Sequence, residues 1–130
     1  RIICEEFIED EIVDYKFYCF NGEPKFLYTS HTSKTDGLIK MDFYNMKWEK
    51  CDFYRKDHDS MEFKVDKPNK LNEMIKIATK LSKGLKFARI DLFYVREKIY
   101  FSEITLTPGS GFTPFSPVER EREIGNMLKI

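Results

Sequence analysis

Two strand-like runs near the end of the chain, residues 87–95 and 98–106, constrain the fold most. Both are aromatic and β-branched, and only a short polar loop divides them, so they read as a hairpin. Side chains alternate across a strand, which puts Phe87, Arg89, Asp91 and Phe93 on one face. Glu103, Thr105 and Thr107 likewise share a face of the second run. Opposed residues in a hairpin point the same way, with Cβ atoms about 5 Å apart. A loop with an odd number of residues, Arg96 to Lys98 for example, sets Asp91 opposite Glu103. A two-residue turn at Arg96-Glu97 sets Asp91 opposite Ser102 and sends Glu103 to the other side. Opposed carboxylates are destabilising unless a cation lies between them. That cation is either Arg89, in an exposed ion-pair network, or a hard metal ion such as Mg²⁺, which takes oxygen ligands and often completes its shell with water and a substrate phosphate.

The rest of the chain supplies an α+β frame for this hairpin. "RIICEEFI", "YKFYCFN" and "PKFLYTS" read as strands, with Asn21-Gly22 as a hairpin turn between the last two. "GLIKMDFYN" is a further strand, and residues 51–67 read as a long surface connection. In "PNKLNEMIKIATKLSKG", Leu71, Met74, Ile75, Ala78 and Leu81 follow helical spacing, and Gly84 falls at the C-terminal cap. A second helix starts near Pro117. No repeat or linker interrupts the 130 residues, which form one domain unit, 1–130. Lys plus Arg and Asp plus Glu each number 22, so no electrostatic footprint for nucleic acid exists. The three cysteines, Cys4, Cys19 and Cys51, lie far apart, as in a reduced, cytoplasmic chain. No apolar run is long enough to span a membrane.

Five stretches carry a resemblance: "EEFIED", "DYKFYCFNGEPKF", "IKMDFYNMKW", "KPNKLNEMIKIATKLSKGLKFARIDLF" and "KIYFSEITLTPGSGFTPFSP". In order and spacing the chain resembles the C-terminal half of an ATP-grasp domain, and most closely the TupA-like branch linked to teichuronopeptide and cell-surface polysaccharide biosynthesis. The family pattern R-x-D, E-x-N and a Pro-Gly loop falls on Arg89, Asp91, Glu103 and "TPGSG". The resemblance implies ATP and Mg²⁺ (or Mn²⁺) as cofactors and a mainly antiparallel sheet with packed helices. It implies that Asp91 and Glu103 ligate metal, with Thr105 standing where most relatives carry Asn. Arg89 would meet the transferred phosphoryl group, and the backbone at Gly109 and Gly111 would cradle an oxyanion. Glu5 and Ile8 would bond the adenine edge, Phe7 would help form its slot, Asp14 would take the ribose hydroxyls, and Lys16 would face the phosphates. Lys47 matches a phosphate-side lysine only loosely.

The implied activity is that of a carboxylate–amine ligase acting through an acyl phosphate on a small-molecule or polymer-precursor substrate. The chain opens at Arg1 inside a strand-like run without an initiator Met, so it reads as a fragment whose partner is the N-terminal half of its own chain. Alone it is expected to present a half-open groove with little activity. On this view Asp91→Asn or Glu103→Gln relieves repulsion, costs little stability and abolishes turnover. Two rivals stand beside the ligase. Asp57-His58-Asp59 is a D-x-D of the kind that glycosyltransferases use, and Thr105 fits a non-catalytic scaffold. His31 and His58 have no partner at metal-ligand or catalytic spacing, and both read as surface residues.

Overall fold

The computed structural model describes residues 2–4, 7–8 and 12–129. Its centre is a five-stranded, wholly antiparallel sheet in the order β3-β2-β1-β5-β6. The strands are β1 (Asp14–Phe20), β2 (Glu23–Thr32), β3 (Ile39–Asn45), β5 (Phe87–Val95) and β6 (Lys98–Thr105). Asn21-Gly22 forms the two-residue β1–β2 turn, with both residues at positive φ (52° and 80°), as the right-handed twist of the flanking strands demands. Helix α1 (Leu71–Ser82) packs on one face of β1, β2 and β5. Leu71, Met74 and Ala78 join Phe17, Leu27, Ile90 and Leu92 in the larger core, with Ile75 and Leu81 at its margin.

The opposite face carries a second, aromatic core of Tyr18, Phe20, Phe26, Tyr28, Met41 and Phe43. A two-stranded sheet of β4 (Tyr54–Arg55) and β7 (Phe115–Ser116), together with α2 (Val118–Asn126), covers it through Phe53, Phe115 and Ile124. Phe26 meets Phe53 edge-on at a centroid distance of 5.1 Å, and Tyr18 stacks on Phe26 at 4.8 Å. These are geometries that aromatic quadrupoles favour. The α+β, antiparallel expectation is met.

Two local expectations are not. Ile2, Ile3, Cys4, Phe7 and Ile8 carry no strand, and Ile2, Ile3 and Phe7 are exposed. A strand-prone composition makes a strand only where its backbone pairs with a neighbour, and these residues join neither sheet. Residues 51–67 are not wholly irregular, since they supply β4 and with it part of the cover of the aromatic core. A two-residue strand is too short to show a period. Among the described residues no helix is long and apolar enough to cross a membrane.

Candidate functional site

The β5–β6 hairpin resolves the register question by using both alternatives. Its turn is the two-residue Arg96-Glu97, each at positive φ (50° and 62°), with Val95 opposite Lys98. Pairing runs regularly to Leu92 opposite Phe101, then slips by one, and Asp91 lies opposite Glu103. Ser102 is the extra residue of a β-bulge. A regular ladder from that turn would have set Ser102 against Asp91. The bulge advances β6 by one residue and returns Glu103 to the face of Asp91.

Strand β1 adds two more charged groups to that face. Lys16 lies opposite Asp91 and Asp14 opposite Phe93. Asp14, Lys16, Arg89, Asp91, Glu103 and Thr105 therefore form a polar half-face beside the aromatic core, spread over β1, β5 and β6. Asp91 is completely buried, with an exposure of 0 %. Its Oδ2 accepts from Lys16 Nζ and from Arg89 Nη2, both at 2.7 Å, while Oδ1 accepts from Arg89 Nε at 2.8 Å. Arg89 Nη2 also donates to Glu103 Oε1 at 2.6 Å and to Thr105 Oγ1 at 3.0 Å. Thr105 in turn donates to Glu103 Oε1 at 3.0 Å. The Glu103 side chain is 56 % exposed, so the two carboxylates are unlike: one is locked inside, the other reaches water.

This asymmetry corrects one expectation. Asp91 is not relieved of repulsion by neutralisation. It is the carboxylate that balances Lys16 and Arg89, and removing its charge leaves two cations with less compensation in a partly desolvated place. Burial works against the Arg89 charge, yet the hydrogen bonds to Asp91 prevail and hold its pKa above the ordinary arginine value. Burial raises the pKa of Asp14, an effect that its ion pair with Lys16 (3.5 Å) only partly offsets.

The other proposed positions lie outside β1, β5 and β6. Phe7 and Ile8 sit in the irregular N-terminal segment, and Glu5 is outside the described residues. Gly109 and Gly111 belong to a short 3-10 turn, Pro108–Gly111, both at positive φ (56° and 79°). A Cβ on Gly109 would lie 1.9 Å from Thr113 Oγ1, so glycine is required there. The turn uses Ser110 N–H and Phe112 N–H on its own carbonyls, Thr107 and Gly109, rather than holding them for an anion. Lys47 is exposed beyond β3, two strands from Lys16. His31 packs edge-on against Phe63 and is half-buried. His58 Nδ1 lies 3.2 Å from the Ile39 carbonyl oxygen. In the D-x-D, Asp57 holds Arg55 while Asp59 holds Lys40 at 3.1 Å, so both carboxylates already serve the fold.

Sequence reasoning missed Arg55. With Asp14, Lys16, Tyr28, Ser30 and His58 it lines a cavity of about 240 Å³ on the same side of the sheet. An isolated arginine in a charged connection carries no periodic signal, so nothing in the sequence marked it.

Among the described residues no three His, Cys, Asp or Glu side chains group as a metal cage. Protein sites hold Mg²⁺ through one or two carboxylates plus substrate phosphates. Asp91 Oδ2, Glu103 Oε1 and Thr105 Oγ1 all converge on a single cationic nitrogen, Arg89 Nη2. The donors are hard oxygens directed at one point, and in kind they fit the ion.

Fold and cluster together define a sheet-based domain that gathers basic and acidic side chains on one half-face, buried at Asp91 and exposed at Glu103. The TupA-like ATP-grasp family matches residues 1–129, so the chain belongs to that family. No curated protein and no solved structure matches it.

Proposed function

We propose that this chain provides the nucleotide- and metal-holding face of an ATP-dependent carboxylate–amine ligase. The carrying observation is the cluster in which Lys16, Arg89, Asp91, Glu103 and Thr105 converge through contacts of 2.6–3.0 Å. In the reaction a substrate carboxylate takes the γ-phosphoryl group to become an acyl phosphate, and an amine then displaces phosphate. Asp91, Glu103 and Thr105 would hold Mg²⁺, which supplies Lewis-acid neutralisation of phosphate charge. Arg89 would stabilise charge on the transferred group, a contribution of about 10²-fold or more for one such donor. Lys16 would meet the phosphates and Asp14 the ribose. Phe7, Ile8 and Glu5 would border the adenine, while Gly109 and Gly111 would close the groove. The substrate class, a small carboxylate or polymer precursor of the cell envelope, is proposed on the family resemblance alone, as are the N-terminal half of the same protein as partner and a cytoplasmic, ATP-containing setting.

Calorimetry on the full-length protein tests this reading. ATP–Mg²⁺ should bind, a nucleotide sugar should not, and hydroxylamine should trap an acyl hydroxamate when substrate carboxylates are supplied. Absence of ATP–Mg²⁺ binding sinks the ligase and leaves the scaffold. Binding of the nucleotide sugar alone points to the glycosyltransferase.

A further inference from the structure

The three oxygens on which metal binding rests, Asp91 Oδ2, Glu103 Oε1 and Thr105 Oγ1, lie 2.7, 2.6 and 3.0 Å from one atom, Arg89 Nη2. Mg²⁺ requires its oxygens at about 2.1 Å and an octahedral shell. That shell and the guanidinium cannot share the place, because the nitrogen lies inside the volume that the ion and its waters need. We propose, building on the ligase reading above, that Arg89 competes with metal for its own site. Without nucleotide its guanidinium holds the cation position. The phosphates of a bound nucleotide then draw it off, so that metal and nucleotide enter together.

Three features favour this exchange. Arginine stays charged at every working pH, so only a competing anion or cation releases it. Lys16 Nζ, also 2.7 Å from Asp91 Oδ2, keeps the buried carboxylate paired when the guanidinium leaves. Glu103, with its side chain 56 % exposed, can turn toward an incoming ion without opening the core. The arrangement thus places a mobile cation between a fixed carboxylate and a movable one. It makes the affinity for metal conditional on nucleotide, and by linkage the reverse also holds.

The test is Mn²⁺ binding, followed by the paramagnetic resonance signal of the free ion, on the full-length protein without nucleotide. Native protein, Arg89→Gln and Arg89→Gln combined with Glu103→Gln are compared, and circular dichroism checks their folding. Arg89→Gln should bind Mn²⁺ at least about tenfold more tightly than native protein, and the double variant should lose that gain. Equal affinity in native protein and Arg89→Gln overturns the proposal, as does a gain that persists in the double variant. Should Arg89→Gln fail to fold, the native protein decides. Mn²⁺ must bind more tightly with a non-hydrolysable ATP analogue than the analogue's own affinity for Mn²⁺ explains. Binding of Mn²⁺ to the native protein that is equally tight without the analogue overturns the proposal, yet leaves the ligase reading intact. Only loss of all ATP–Mg²⁺ binding would remove both.

Discussion

Asp91→Asn should be the most damaging conservative change on the polar face, and Glu103→Gln one of the mildest. Asp91 accepts three charge-assisted hydrogen bonds at 2.7–2.8 Å from a position with no solvent exposure. Breaking a buried ion pair from one side costs about 3–5 kcal/mol. Two circumstances bring the figure to the lower end. Lys16 retains Asp14 at 3.5 Å, and Arg89 retains Glu103 and Thr105. The introduced amide keeps one acceptor oxygen but turns its NH₂ toward a cation, so about 3 kcal/mol is expected for Asp91→Asn. Glu103 is more than half exposed, and Glu103→Gln should cost about 0.5 kcal/mol. Urea unfolding at neutral pH reads both values from the midpoint at constant slope. Near-equal losses in the two variants, or an Asp91→Asn as stable as the native protein, would refute the assignment of Asp91 as the balancing charge.

Two further outcomes follow from the same geometry. Deleting Ser102 removes the bulge residue and lets a regular ladder from the Arg96-Glu97 turn bring Glu103 opposite Asp91. The protein should therefore unfold cooperatively with a loss of about 1 kcal/mol, and a collapsed or non-cooperative product in denaturant melts would contradict the bulge. For Asp14, burial raises the folded pKa above the unfolded value, so folding favours the protonated form. The stability it contributes is full below about pH 4, the unfolded value, and is lost as pH rises through the folded one. Asp14→Asn should thus raise the urea midpoint at pH 7 relative to native protein and flatten the profile between acid and neutral pH. A midpoint that falls at pH 7 would show the Lys16 ion pair to outweigh burial.

Much of the frame was legible because it rests on short-range pattern. Leu71, Met74 and Ala78 repeat at helical spacing, and α1 forms there. Asn21-Gly22 announces a turn that only residues tolerant of positive φ make cheaply. The common face of Arg89 and Asp91 follows from strand alternation alone. Ser102 carried no signal, because a bulge is a property of two paired strands and not of one. The contact between Lys16 and Asp91 joins residues 75 positions apart and depends on β1 pairing with β5, which no local spacing encodes. Arg55 came into view only once β4 was laid over the aromatic core. The strand expected at "RIICEEFI" shows the opposite failure: composition favours pairing, yet Ile2, Ile3, Cys4, Phe7 and Ile8 pair with no strand of either sheet.

Strand β6 is an edge of the sheet, and it leaves Phe101 and Ile104 substantially exposed on the side where α1 covers only β1, β2 and β5. A long, flat, greasy edge of this kind is an invitation for another chain to add a strand and start an aggregate. Ser102 sits between those two apolar residues and interrupts the row of peptide groups that such an intruder would need to zip along. On this reasoning the inserted serine also guards the edge, and a protein lacking it should precipitate more readily at high concentration than its loss of about 1 kcal/mol in stability explains.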